Sequence, residues 1–204
     1  MDVIRKLTHA LSQNPKIFIF LRRILENNFK GERRVLAENF VCAPDERVLD
    51  IGCGTGEFSV FFNPDNYIGV DIEKKYIDYA LKNYKGKFMV VDANRLPFND
   101  GSFQKVVIVG VLHHLDDATS GRVLDEARRV LAPGGTFLLM EDVNRPENGF
   151  LTNLLHGLDN GKFIRTKAGY GKVLGSRFRI EKTFDMQSGL CPYQVFILKK
   201  PASE

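Results

Sequence analysis

Between Arg47 and Met140 the chain alternates short apolar runs with stretches whose apolar positions recur at helical spacing. Arg47–Ile51, Asn66–Val70, Lys87–Val91, Lys105–Val109 and Thr136–Met140 read as strands. The fourth is nearly all valine and isoleucine, as a strand buried on both faces requires. Between them, Lys74–Asn83 places Ile77, Ala80 and Leu81 on one side, and Arg122–Leu131 does the same with Leu124, Ala127, Val130 and Leu131. A short amphipathic helix is predicted from Glu57 through Phe61. Strand–helix alternation of this kind predicts an α/β fold, a parallel sheet wrapped by helices on both faces.

The ends of the chain follow other rhythms. Val3, Ile4, Leu7 and Leu11 repeat at helical spacing, Asn14-Pro15 interrupts, and Ile17 to Phe29 resumes the pattern. Gly31 is expected to end that helix, and Val35, Leu36 and Phe40 mark another, so residues 1–43 read as a helical cap on a body of residues 44–204. After the fifth strand the order loosens around Phe150-Leu151 and Leu154-Leu155. With a helix at Thr166–Leu174, residues of about 143–175 are expected to form a lid, with His156 and Tyr170 as its polar candidates. Phe178–Phe184 and Tyr193–Lys199 close the chain as strands.

Composition narrows the class. Hydrophobic content of 44% and charged content of 26% are those of a globular chain. Ile17–Leu21 is too short to span a bilayer, and no small-residue cleavage site follows an apolar run, so neither a transmembrane segment nor a secretory signal is expected. Arg22-Arg23 beside that run leaves peripheral contact with a membrane open. Cys42, Cys53 and Cys191 fit neither a disulfide framework nor a zinc site, and a reducing cytoplasm is the expected home. The net charge of +4 hides a basic stretch from Arg145 to Lys182, which reads either as solvated surface or as a reception for an acidic substrate.

The chemistry lies at the strand ends, where open parallel sheets bind ligands. Asp50 is followed by the turn Gly52-Cys53-Gly54-Thr55-Gly56, whose glycines allow a sharp bend and bare backbone beside a ligand. Asp71 and Asp92 close the next two strands, Val109-Gly110-Val111-Leu112-His113-His114 the fourth, and Glu141-Asp142 the fifth. A nicotinamide dinucleotide would also use an acid at Asp71, but the glycines here are spaced Gly-x-Gly-x-Gly. The row of carboxylates suits a cationic cofactor better than a pyrophosphate.

Taken in order, Asp50–Gly56, Asp71, Asp92-Ala93, Leu96–Phe103, Val111–His114 and Leu131–Gly135 resemble the class I S-adenosylmethionine-dependent methyltransferases, above all the small-molecule branch with the quinone-biosynthesis enzymes. The resemblance spans about Val48 to Met140 and implies a doubly wound, Rossmann-like, seven-stranded, mostly parallel sheet with an antiparallel C-terminal strand. It further implies that Gly52, Cys53, Gly54 and Gly56 hold the methionine part of the cofactor with Asp50 nearby, and that Asp71 takes the ribose hydroxyls. Ile72 would pack on the adenine, Asp92 bond its amino group beside Ala93, Val109 and Gly110 flank the sulfonium, and His114 close that side. Gln104 departs from the family, which often has aspartate there; that position is expected to be structural.

His113, His114 and Glu141 are the candidates for a base, should the acceptor have to lose a proton. Each has a bland alternative: packing beside the cofactor for the histidines, capping the following turn for Glu141. The acceptor is expected to be a small molecule, apolar or acidic. No Asn/Asp-Pro-Pro-Tyr clamp follows the fourth strand, which disfavours DNA, whereas a tRNA acceptor stays open, as does a non-catalytic cofactor-binding role.

Overall fold

A computed structural model describes residues 14–145, 163–175 and 177–201. The stripe from Val3 to Leu11, the apolar piece Phe150–Leu155 and His156 lie outside those residues.

Seven strands form one sheet: β1 (Val48–Ile51), β2 (Tyr67–Asp71), β3 (Lys87–Val90), β4 (Phe103–Val109), β5 (Leu131–Asp142), β6 (Arg179–Ser188) and β7 (Cys191–Lys199). Their order is β3-β2-β1-β4-β5-β7-β6. The first five are parallel, β7 is antiparallel to β5, and β6 pairs antiparallel with β7 at the edge. The order therefore reverses between β1 and β4, the point at which sheets of this kind offer a crevice for a ligand at the strands' carboxyl ends.

Alternation along the central strands divides the core in two. Val107, Val109, Leu138 and Met140 face one side and pack with Ile19 of α1 (Pro15–Leu25), Val35 and Leu36 of α2 (Lys30–Asn39), and Ile77 and Ala80 of α3 (Lys74–Asn83). Val106, Ile108, Phe137 and Leu139 face the other and pack with Val123, Leu124 and Ala127 of α4 (Asp117–Val130) and with Tyr170 and Leu174 of α5 (Lys167–Leu174). Helices on both faces are thus the consequence of a period of two in the strands.

Several boundaries differ from the sequence reading. Gly31 does not end a helix; it lies inside α2, where a Cβ would stand 2.3 Å from the Met186 sulfur, so glycine is required by close approach to β6. The helix before it stops because Asn27, Asn28 and Phe29 turn left-handed, at φ 46°, 56° and 59°. Complete burial of the Phe29 ring offsets the strain on a residue type that rarely adopts that region. After the glycine turn only a 3₁₀ turn forms, Ser59–Phe61, rather than an α-helix. Helix α4 begins at Asp117, five residues before the expected start (122 − 117), because the Asp116 carboxylate caps the Thr119 amide at 2.7 Å. The expected lid gives way at its C-terminal end: α5 buries Tyr170, Val173 and Leu174 in the core, so it is part of the body.

Candidate functional site

The turn after β1 is held open by three left-handed glycines, Gly52, Gly54 and Gly56, at φ 73°, 54° and 89°. The Gly52 and Cys53 amides both donate to the Val70 carbonyl, at 2.7 and 3.0 Å, which locks the turn against β2. A Cβ on Gly52 would meet Val111 Cγ2 at 2.3 Å, so this glycine serves the close passage of the loop after β4. Gly54 is the opposite case: nothing lies within 4 Å of where its Cβ would be. Bare main chain there faces open space, and its amide donates to Asp71 Oδ2 at 2.9 Å.

Asp71 also accepts the Glu73 amide on Oδ1 at 2.9 Å, and burial raises its pKa. Beside it, Ile72 is 66% exposed, an apolar side chain left uncovered at the rim of the crevice. Asp92, exposed at the tip of the third strand, holds its own turn by accepting the Asn94 amide at 2.9 Å, with Ala93 half-buried next to it. Gly54, Asp71, Ile72, Asp92 and Ala93 therefore share one rim, as the sequence predicts.

Asp50 and Cys53 are placed otherwise. Asp50 is buried on the α1–α3 side of the sheet and accepts the Tyr67 hydroxyl at 2.7 Å; desolvation pushes its carboxyl up to about 7. That is an internal support for β1 and β2. Cys53 is buried against Gly69, where an added Cβ would lie 2.8 Å from the thiol sulfur. Beneath the same turn, Thr55 Oγ1 donates to Glu57 at 2.6 Å and the Tyr84 hydroxyl reaches the other Glu57 oxygen at 3.3 Å.

On the far side of the crevice β4 ends at Val109, buried, and Gly110, left-handed at φ 67°. A 3₁₀ turn, Leu112–His114, follows. Its amide ends converge on Glu141, which is fully buried. Oε1 accepts the Val111 and Leu112 amides at 2.9 and 2.7 Å, and Oε2 accepts the His113 amide at 3.3 Å. The same Oε2 lies 2.9 Å from His113 Nδ1, and a carboxylate oxygen there favours the ring form that carries a proton on Nδ1. Both Glu141 oxygens are thus committed to the turn, so the carboxylate is a positioning group here and has no exposed oxygen for an acceptor. His113 is buried and its ring centroid lies 4.0 Å from that of exposed His114.

Three arginines fasten the surrounding loops. Arg165 donates to the Leu112 and Leu115 carbonyls at 2.8 and 2.7 Å, and the Phe163 amide donates to the His113 carbonyl at 2.9 Å. Arg129 donates to the Leu96 and Phe98 carbonyls at 3.0 and 2.7 Å, fixing the loop after the third strand. Arg22, on α1, lies over the crevice: its guanidinium forms a two-pronged pair with Glu26 at 2.6 and 2.9 Å, sits 5.0 Å from the Phe29 ring, and is 4.0 Å from the Cβ position of Gly110. Phe18 of the same helix stacks on Tyr76 with ring centroids 4.7 Å apart. The sequence reading gave none of Arg22, Arg129 and Arg165 a place at the site: Arg22–Glu26 and Arg129–Glu126 have helical spacing, but the carbonyls that Arg129 and Arg165 hold lie 31 to 53 residues away in the chain. Gln104 is structural as expected; its Oε1 accepts the Arg47 amide at 3.0 Å, at the opposite end of β4.

Among the described residues no cluster of three His, Cys, Asp or Glu side chains is arranged to hold a metal. A family model described as "Methyltransferase domain" matches residues 48–135, the span from the start of β1 into the first residues of β5. An uncharacterised methyltransferase of Synechocystis is 31% identical over 142 residues, covering 67% of this chain and 66% of that protein. The chain belongs to the class I S-adenosylmethionine-dependent methyltransferases. Within that family, a ubiquinone/menaquinone biosynthesis C-methyltransferase of Desulfotalea psychrophila is 33% identical over 109 residues, 50% of this chain and 44% of that enzyme. Geranyl diphosphate C-methyltransferase from Streptomyces coelicolor, solved with S-adenosyl-L-homocysteine, has the same fold: TM-score 0.68 at 15% identity, over 83% of this chain and 77% of that one. The match thus spans less than half of the Desulfotalea enzyme and 66% of the Synechocystis protein.

Proposed function

We propose that this chain transfers the methyl group of S-adenosyl-L-methionine to a small organic acceptor by in-line displacement. The observation that carries the reading is Gly54: a left-handed glycine with open space where a side chain would be, bonded through its amide to an acidic strand tip. In this reading Gly52–Gly56 cradle the amino-acid part of the cofactor, Asp71 accepts the ribose hydroxyls, Ile72 covers the adenine, and Asp92 with Ala93 reads its edge. Val109 and Gly110 form the wall by the sulfur, and His114, exposed beside it, closes the site. The cofactor supplies an electrophilic methyl on a sulfonium, an excellent leaving group.

What the protein contributes is alignment, which is worth up to ~7–11 kcal/mol in favourable intramolecular cases. The carboxylates along the rim favour a cation electrostatically. The Glu141 clamp holds the Val111–His114 turn, and His113 and His114 on that turn are the candidates for a base if the acceptor must lose a proton. The residues up to 43 are the cap in this reading, with α1 laid over the crevice and excluding water, on a catalytic body of 44–204. The reducing cytoplasm that suits the three free cysteines is the proposed compartment.

Calorimetric titration tests the reading. S-adenosyl-L-homocysteine is expected to bind in the micromolar range, and Asp71→Ala to weaken it about tenfold or more, the loss of charge-assisted hydrogen bonds. Tight binding of NADH in its place would reverse the assignment. Transfer of a labelled methyl group into a pool of small-molecule acceptors then separates an enzyme from a binding protein, and into tRNA separates the remaining alternative.

A further inference from the structure

Helix α1 has a side that nothing among the described residues covers. Ile17, Phe20, Leu21 and Ile24 stand at i, i+3, i+4 and i+7 and are 36%, 61%, 40% and 61% exposed. The opposite side of the helix is the one that buries Ile19 and carries Arg22 to the crevice. The stripe does not end with the helix. The turn between β6 and β7 is pressed against it, the Leu190 amide donating to the Leu25 carbonyl at 2.8 Å, and Leu190 is itself 41% exposed.

The exposed charges on α1 and just after it have one sign. Lys16, Arg23 and Lys30 are exposed beside it, and α1 carries no acidic side chain. Glu26, directly after the helix, is buried and occupied by Arg22. Over residues 1–40 the sequence has eight basic and four acidic residues. An apolar stripe with a basic border is the pattern of a helix that lies in the plane of a bilayer interface, and a basic border is drawn to an anionic leaflet. A second copy of the chain is a poorer fit. A two-fold contact through this stripe would set Lys16 and Arg23 against their own counterparts, and like charges across an interface oppose it.

We propose that this face of α1, with Leu190, docks the protein on an anionic lipid surface. The docking itself does not depend on methyl transfer.

The test is co-sedimentation of the full chain with phosphatidylcholine vesicles, with and without phosphatidylglycerol, over a salt series. The wild type is expected to partition onto the anionic vesicles and to be released by salt. Phe20→Ser with Ile24→Ser is expected to lower that partition about tenfold or more, by removing the two most exposed apolar side chains. Lys16→Glu with Arg23→Glu is expected to lower it by about tenfold as well and to flatten the salt dependence. All four side chains are exposed, so thermal melts should match the wild type and exclude misfolding as the cause. The proposal is overturned if the full chain ignores anionic vesicles at low salt, or if it binds them and the serine variant binds equally. A concentration-dependent dimer that the serine variant abolishes would give the stripe to a second copy instead. Titration of S-adenosyl-L-homocysteine into the same samples reads the crevice separately, so loss of lipid binding and failure of the methyltransferase reading are distinguishable.

Discussion

Replacing Glu141 by alanine strips four donors of their acceptor at once. The Val111, Leu112 and His113 amides and His113 Nδ1 all end on its two oxygens, at 2.7 to 3.3 Å. Water can reach the half-buried Val111 end, which leaves the three donors of buried Leu112 and His113 without a replacement acceptor. At ~1–3 kcal/mol for each buried donor left unsatisfied, the loss is about 3–6 kcal/mol after partial relaxation. That is a large part of a total stability of roughly 5–15 kcal/mol. Glu141→Gln keeps one carbonyl oxygen and turns an NH₂ toward donors, so about 2–3 kcal/mol is expected. Urea denaturation followed by circular dichroism measures both, and the His113→Ala double-mutant cycle should show coupling of about 1 kcal/mol or more between the two side chains. If Glu141→Ala unfolds within about 1 kcal/mol of the wild type, the clamp is not what holds the turn, and a direct catalytic role for Glu141 regains its place.

Two other perturbations follow from the same geometry. Gly52→Ala is expected to be strongly destabilising, since φ is 73° and Val111 blocks the new carbon at 2.3 Å. Gly54→Ala meets no neighbour and should cost only about 1–2 kcal/mol of left-handed strain, yet lose most S-adenosyl-L-homocysteine affinity; equal melting temperatures for the two variants would contradict this. Burial also pushes Glu32 up to about 8, with the nearby Glu26 carboxylate as the second cause. A carboxyl raised in this way contributes fully below its unfolded pKa, and the contribution is lost as pH rises through its folded pKa. Glu32→Gln, neutral throughout, should therefore gain melting temperature over the wild type above about pH 8 and little below about pH 5; the reverse order would refute it.

How legible the site was depended on whether a residue's partner lay nearby in the chain. The rim of Gly54, Asp71, Ile72 and Asp92 could be read because each sits one strand-end along from the last, and parallel strands with short crossovers bring such ends to one edge. Asp50 had the same sequence credentials as Asp71. Its carboxylate nevertheless turned inward, because the strand pleat alternates faces and Tyr67 occupies the same side. Glu141 was left between substrate contact and a cap, and only its convergence with amides nearly 30 residues earlier decided the matter. Gly31 looked like a helix stop because glycine usually is one; the neighbour that requires it there, Met186, is far along the chain.

By itself the sequence determined the strand–helix alternation, the glycine turn and the row of acids at the strand tips. Those depend on periodicity and on backbone freedom, which are properties of neighbours in the chain. The tertiary structure alone decided which carboxylates face the crevice and which are internal supports, and it laid α1 over the site with Tyr193, 167 residues downstream, bonded to Glu26. Contacts of that kind form only when the sheet has closed, since burial and hydrogen-bond satisfaction are set by all the packed elements together.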